Sequence, residues 1–126
     1  MLQSRLFFLP KRRSDGKVLR GYKIVNFFDD ISVPKIGEIS ERLYENKNIF
    51  IEKIISSDKQ EEKLYNQNYD EWIILMEGEA SLQIDKKEVI LKKGDFLLIE
   101  KDTPHRVVKT TSGTLWLCVH MTEKQC

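Results

Sequence analysis

The 126-residue chain is 40% hydrophobic and 33% charged with a formal net charge of +1, a balance that suits one globular domain and leaves no room for two independent cores. No apolar run approaches the roughly 20 residues that a membrane-spanning helix requires. The two cysteines, Cys118 in an apolar run and Cys126 at the last position, lack the paired spacing of a disulfide framework or a zinc ribbon, and both are read as free thiols.

Charge is unevenly distributed. Residues 1–23 hold seven Lys/Arg against Asp15 alone, an excess of +6 that leaves −5 on the remainder. A basic arm on an acidic body can touch nucleic acid, but this one lacks the interleaved aromatic and polar readers of a recognition surface. It is therefore expected to be a solvated extension, with the domain proper over residues 24–126 and no nucleic-acid partner. The apolar patch Leu6-Phe7-Phe8-Leu9 precedes the basic cluster, the reverse of the order in a secretory signal, so a cytoplasmic protein without a membrane partner is expected.

Beyond this segment, KIVNFF predicts one short strand, and GEISERLYEN predicts a helical turn or two with Ile39, Leu43 and Tyr44 on a shared face. NIFIEKIIS predicts a strand with Ile49, Ile51 and Lys53 on one side and Phe50, Glu52 and Ile54 on the other. DKQEEK reads as a solvated loop. From Leu64 the pattern sharpens. EWIILMEGEASLQID predicts an apolar strand, a turn at Glu77-Gly78-Glu79 and a second strand in which Leu82 and Ile84 alternate with Ser81, Gln83 and Asp85, the two paired as a hairpin. A further hairpin turns through Lys86-Lys87, after which Gly94-Asp95, Asp102-Thr103-Pro104 and Ser112-Gly113 punctuate short apolar strands. Strands so closely spaced leave little room for a crossover helix, and the fold class is all-β, an antiparallel sandwich or barrel.

EWIILMEGEASLQI, followed by LKKGDFLLIEKDTPHRV, resembles the two consecutive signature motifs of the cupin superfamily, over residues 48–121. The first motif of such proteins runs H-x-H, three or four residues, a Glu, then an apolar stretch to a Gly, and Glu71 and Gly78 hold its last two places. The second is matched by Gly94, Asp95, Pro104 and His105. The resemblance implies a single-domain jelly-roll barrel. It also implies a departure, because Tyr65 and Gln67 stand where the first motif has its two histidines. In metal-binding members the ligands are those two His, the Glu and the second-motif His, so only Glu71 and His105 carry over. The chain is similar as well to a bacterial subgroup with Tyr-x-Gln before Glu-Trp and a closing Trp-Leu-x-Val-His.

Strand alternation places Tyr65, Gln67, Tyr69, Glu71, Ile73 and Leu75 on one face. If Glu71 points into the barrel, Tyr65 and Gln67 do too, and His105 can reach the same depth above a floor of Ile73, Leu75 and Val107. Glu71, His105 and the Gln67 amide oxygen are then candidate ligands for one divalent metal ion. Equally, these groups satisfy one another around water or an organic ligand. For catalysis, Glu71 or His105 would be the base or ligand and Tyr65 the proton donor. Trp116 and His120 share parity in the closing strand and are candidate pocket residues, with core and rim as the alternatives. Cys118 is read as a small core residue, and Trp72 falls on the opposite face, toward core or a dimer interface. Glu77 and Glu79 beside Gly78 are read as solvated. With no phosphate-cradling loop or Walker motif, no nucleotide cofactor is expected. The expected function is binding of a small polar metabolite, a divalent metal or both by a homodimer. An atypical lyase, isomerase or oxygenase, and a structural dimer with a vestigial pocket, are the alternatives.

Overall fold

The computed structural model describes residues 23–122, which form eight strands: β1 (Glu38–Glu45), β2 (Ile49–Ser56), β3 (Asp70–Glu77), β4 (Glu79–Ile84), β5 (Lys87–Lys92), β6 (Phe96–Ile99), β7 (His105–Thr110) and β8 (Thr114–Met121). All strand pairs are antiparallel, in a five-stranded sheet of order β1-β2-β8-β3-β6 and a three-stranded sheet of order β5-β4-β7. The two sheets close on a core of Ile73, Leu75, Ala80, Leu82, Leu91, Ile99, Trp116 and Cys118. This is the all-β jelly-roll barrel, and the period-2 alternation of the sequence explains it: in β8, Trp116, Cys118 and His120 are buried while Leu117, Val119 and Met121 are only partly so. The basic segment, Lys23 apart, and Cys126 lie outside the described residues.

Several local expectations are corrected. Residues 38–45 form no helix but an edge strand, in which Ile39 pairs with Ile55, Ser40 with Ile54 and Arg42 with Glu52, with an irregularity before Tyr44. The helical spacing of Ile39, Leu43 and Tyr44 covers barely two turns, and a ladder to β2 satisfies the same backbone groups while the Ser56 hydroxyl donates to Glu38 Oε2 at 2.8 Å. KIVNFF forms no strand. It leads into a turn where the Asn26 side chain accepts the Phe28 amide at 2.8 Å, the local hydrogen bonding that lets Asn compete with extended structure.

The third correction concerns topology. β3 and β4 are not a hairpin, because β3 pairs with β6 and β8 whereas β4 pairs with β5 and β7. The chain changes sheet at Gly78, whose φ is +92° and where an added Cβ would lie 2.6 Å from Thr114 Oγ1. Apolar–turn–apolar grammar is the same for a hairpin and for a sheet-to-sheet corner, so the pattern alone does not separate them. The next turn does close a hairpin, one residue earlier than expected: Ile84 pairs with Lys87 around Asp85 and Lys86, with Asp85 at φ +56°.

Candidate functional site

The inner face of the larger sheet, with Leu82, His105 and Val107 from the smaller one, encloses a cavity of about 380 Å³, within the usual size range of small-molecule sites. β3 runs between β8 and β6, and its register sets Glu71 opposite His120 on one side and Ile99 on the other. β2 on the far side of β8 pairs Phe50 with His120 and Glu52 with Cys118, so Phe50 and Glu52 enter the same space. The strand expected in EWIILM is β3, and the alternation read from Tyr65 becomes regular strand only at Asp70. The preceding segment is nevertheless extended and pinned, with Tyr65 and His105 exchanging both backbone hydrogen bonds at 2.8 and 2.9 Å and the Asp102 amide donating to the Gln67 carbonyl at 2.8 Å. That clamp keeps Tyr65, Gln67, Tyr69 and Glu71 in phase.

Glu71 is the hub. Gln67 Nε2 donates to its Oε1 at 2.9 Å, His105 Nε2 lies 3.6 Å from Oε1, and His120 Nε2 lies 3.8 Å from Oε2. Its side chain is 12% exposed. Burial alone would raise its pKa, but hydrogen bonding with His105, the charges of His120 and His105, and the Gln67 amide outweigh it and hold the carboxyl below the usual carboxylate range. For His105 burial pulls downward, while its bond to Glu71, the Thr103 carbonyl and the Glu71 charge prevail and raise its pKa. The tautomer of His105 follows from its partners: Nδ1 lies 2.9 Å from the Thr103 carbonyl, which can only accept, so Nδ1 carries the proton in the neutral ring and Nε2 faces Glu71 bare, while the imidazolium, which the raised pKa favours, turns a second N–H toward the carboxylate.

His120, read from sequence as pocket or rim, lies in the pocket. Its Nε2 donates to Glu52 Oε1 at 2.9 Å, its ring stacks on Phe50 at 4.0 Å between centroids, and its buried Nδ1 has no hydrogen-bond partner among the described residues. Trp116 also lines the wall, with Nε1 donating to the buried Ser56 hydroxyl at 2.9 Å. Of the expected floor, Ile73 and Val107 line the cavity, whereas Leu75 is fully buried in the core. Cys118 lines it too, but burial, followed by the charges of Glu71, Glu52 and Glu38, pushes its thiol well up, which keeps it an inert thiol. Trp72 faces away, packed against Phe96 at 5.5 Å.

Glu38, Glu52 and Lys63 were missed as site residues. The signal for Glu52 is its parity with Phe50 and Ile54 in β2. None was available for Glu38 once its segment was read as helical. Glu38 has its pKa raised by burial, partly countered by the Ser56 hydroxyl and reinforced by Glu52 and Glu71. Tyr65 and Tyr69 are raised as well, by burial and then by the surrounding carboxylates, so both phenols stay protonated and neither offers a phenolate.

The donors present do not reproduce the metal-binding set that the family resemblance implies. Tyr65 stacks on His105 at 5.8 Å between centroids, and Gln67 turns its N–H to the carboxylate that would bind the ion. Among the described residues no three His, Cys, Asp or Glu side chains converge as a ligand group.

Residues 54–120 match the Cupin domain family. A Ralstonia eutropha JMP134 protein provisionally named a mannose-6-phosphate isomerase is 31% identical, with a TM-score of 0.73 over 81% of this chain and 100% of its own. A conserved protein of unknown function from Streptococcus pyogenes (15% identity, TM-score 0.71, 85% of this chain and 93% of that one) and an RmlC-like cupin from Shewanella frigidimarina NCIMB 400 (17%, 0.65, 79% and 91%) share the fold. No curated protein matches the chain. With the two-sheet barrel, the glycine corner at Gly78, the Glu71–His105 pair and a family match over more than half of its length, the chain belongs to the cupin superfamily.

Proposed function

We propose that the protein binds a small polar metabolite in the barrel cavity, with Glu71 as the central recognition group and His105, Gln67, His120 and Tyr65 around it. One observation carries this reading. A buried carboxylate is held ionised by neighbours at the wall of a cavity of about 380 Å³ that aromatic rings and further carboxylates also line. A core built only for stability gains nothing from such a cluster, because replacing buried ion pairs by apolar side chains is commonly neutral or stabilising.

Two finer readings share the site. Acid–base catalysis by Glu71 or His105 on the bound molecule is supported by the pair itself, and isomerase is the name carried by the Ralstonia protein. A divalent cation is supported by one feature only: the bare His105 Nε2 facing Glu71 Oε1, a gap between two acceptors that positive charge would fill. It would require Gln67 to release the carboxylate.

The test is to purify untagged protein without chelator and to analyse released small molecules by mass spectrometry and metals by elemental analysis, for wild type and Glu71→Gln. An organic molecule near stoichiometry in the wild type and lost in the variant is the expected result. Stoichiometric metal lost in the variant would favour the cation instead. A homodimer in the cytoplasm completes the proposal, supported by the exposed Phe96 and Leu98 beside Trp72 on the outer sheet face and by the unpaired, buried Cys118 thiol.

A further inference from the structure

If the cavity binds a small molecule, as proposed above, its wall also selects the chemical class. Three carboxylates, Glu38, Glu52 and Glu71, line it against a single ammonium, Lys63. With both histidines neutral, two negative charges are left uncompensated. With both protonated the wall reaches neutrality, and it turns positive only where a carboxyl, Glu38 first because burial raises its pKa, is itself protonated. A further cation, Arg42, sits 3.8 Å from the centroid of the wall residue Phe50, but it carries its own carboxylate, Glu45 at 3.4 Å, and the pair adds no net charge. An anionic ligand would enter against this field, and a cationic one with it.

The hydrogen-bond inventory points the same way. When neutral, His105, only 7% exposed, spends its one proton on the Thr103 carbonyl and turns a lone pair toward Glu71 Oε1, 3.6 Å away, so in that state two acceptors face each other and the donor between them is either a second proton on His105 or a ligand. His120, equally buried, spends its Nε2 proton on Glu52, and its Nδ1 has no partner among the described residues. A ligand N–H can take the place of the imidazolium proton at these acceptors. The apolar part of the wall adds a third element: Phe50, Tyr65, Tyr69 and Trp116 present aromatic rings, which attract cations. Two of them already carry a cation, Arg42 at 3.8 Å from the Phe50 centroid and Lys63 Nζ at 5.2 Å from that of Tyr65, which leaves Tyr69 and Trp116 for a ligand.

From the charge, the missing donors and the rings together we infer that the ligand is a small organic amine, held as an ammonium whose N–H groups reach Glu71, Glu52 and the bare nitrogen of His105. Phosphorylated and carboxylated metabolites are disfavoured by the same wall. The Ralstonia protein carries the name of an enzyme for a phosphorylated sugar; this chain selects against that substrate class.

The experiment is ligand-observed NMR on the full chain in the presence of EDTA near neutral pH, with three size-matched sets of compounds: primary and secondary amines, neutral polyols and amides, and phosphates and carboxylates including mannose 6-phosphate. Binding is expected to concentrate in the amines and to weaken about tenfold or more in Glu52→Gln and in Glu71→Gln, each first shown to melt cooperatively. Glu77→Gln, in the exposed corner next to Gly78, is expected to leave it unchanged. Binding concentrated in the neutral or anionic compounds and still weakened by the cavity variants would overturn the amine assignment while leaving the cavity as the site. No binding in any set, or binding indifferent to both cavity variants, would overturn the amine assignment and the proposed function together.

Discussion

His105 and Glu71 each perturb the other, and their linkage to folding gives the pair a pH signature. Glu71 is held below its unfolded value, so its contribution is present above about pH 4.3 and is lost as pH falls through the folded value. His105 is held above its unfolded value, so its contribution is complete below about pH 6.5 and is lost as pH rises through the folded one. The pair therefore stabilises most between about pH 4.3 and 6.5. Thermal melts should show the wild type's advantage over His105→Gln greatest in that window and shrinking toward pH 8, and a difference that does not vary with pH would refute the coupling. Ser56 offers a second case. Its fully buried hydroxyl donates to Glu38 and accepts from Trp116, so Ser56→Ala strands two partners and should cost about 1–3 kcal/mol in chemical denaturation. At this scale much of the site was legible. Alternation alone brought Tyr65, Gln67 and Glu71 to one face, and the family likeness added His105. Glu52 and Glu38 were not found because they come from strands distant in sequence, and only the β2–β8 and β1–β2 registers carry them to Glu71.

Strands and corners were legible to different degrees, and Gly78 shows why. The sequence marks a turn there, but whether the flanking strands pair with each other depends on long-range partners that no local pattern records. The same is true of residues 38–45, where a short run with helical spacing became an edge strand once β2 offered a ladder. By contrast β3 through β6 follow the alternation closely, because each buries one face. Two of the positive-φ glycines, Gly78 and Gly94, should respond differently to substitution. At Gly78 a Cβ would meet Thr114 Oγ1 at 2.6 Å and Thr111 Oγ1 at 2.8 Å, whereas at Gly94, with φ +90°, it meets nothing within 4 Å. Gly94→Ala should therefore cost only the backbone strain, about 1–2 kcal/mol, and Gly78→Ala clearly more, since the threonine hydroxyls that tie Glu79 to β8 must move. Equal costs in urea unfolding would contradict the packing argument.

Across the whole molecule the two faces of the larger sheet divide the work. The inner face makes the cavity. The outer face is covered in part by the segment before β1, where Lys53 Nζ donates to the Asp29 carbonyl at 2.8 Å and lies 5.4 Å from the Phe27 centroid, while Phe96 and Leu98 at the β6 edge stay exposed. A dimer through this edge should sediment as such in the wild type and shift to monomer in Phe96→Asp; a wild type that is strictly monomeric would remove the dimer from the account. In the proposed function the cluster around Glu71 exists to bind and not to hold the barrel together. Melting temperature with and without an amine that binds the wild type, measured side by side for wild type and Glu71→Gln, tests it most directly. A ligand-induced rise is expected in the wild type, with a variant that melts within a few degrees of it but shows no rise. A variant that melts far lower yet keeps the same ligand-induced rise would mark Glu71 as a structural residue and contradict the claim.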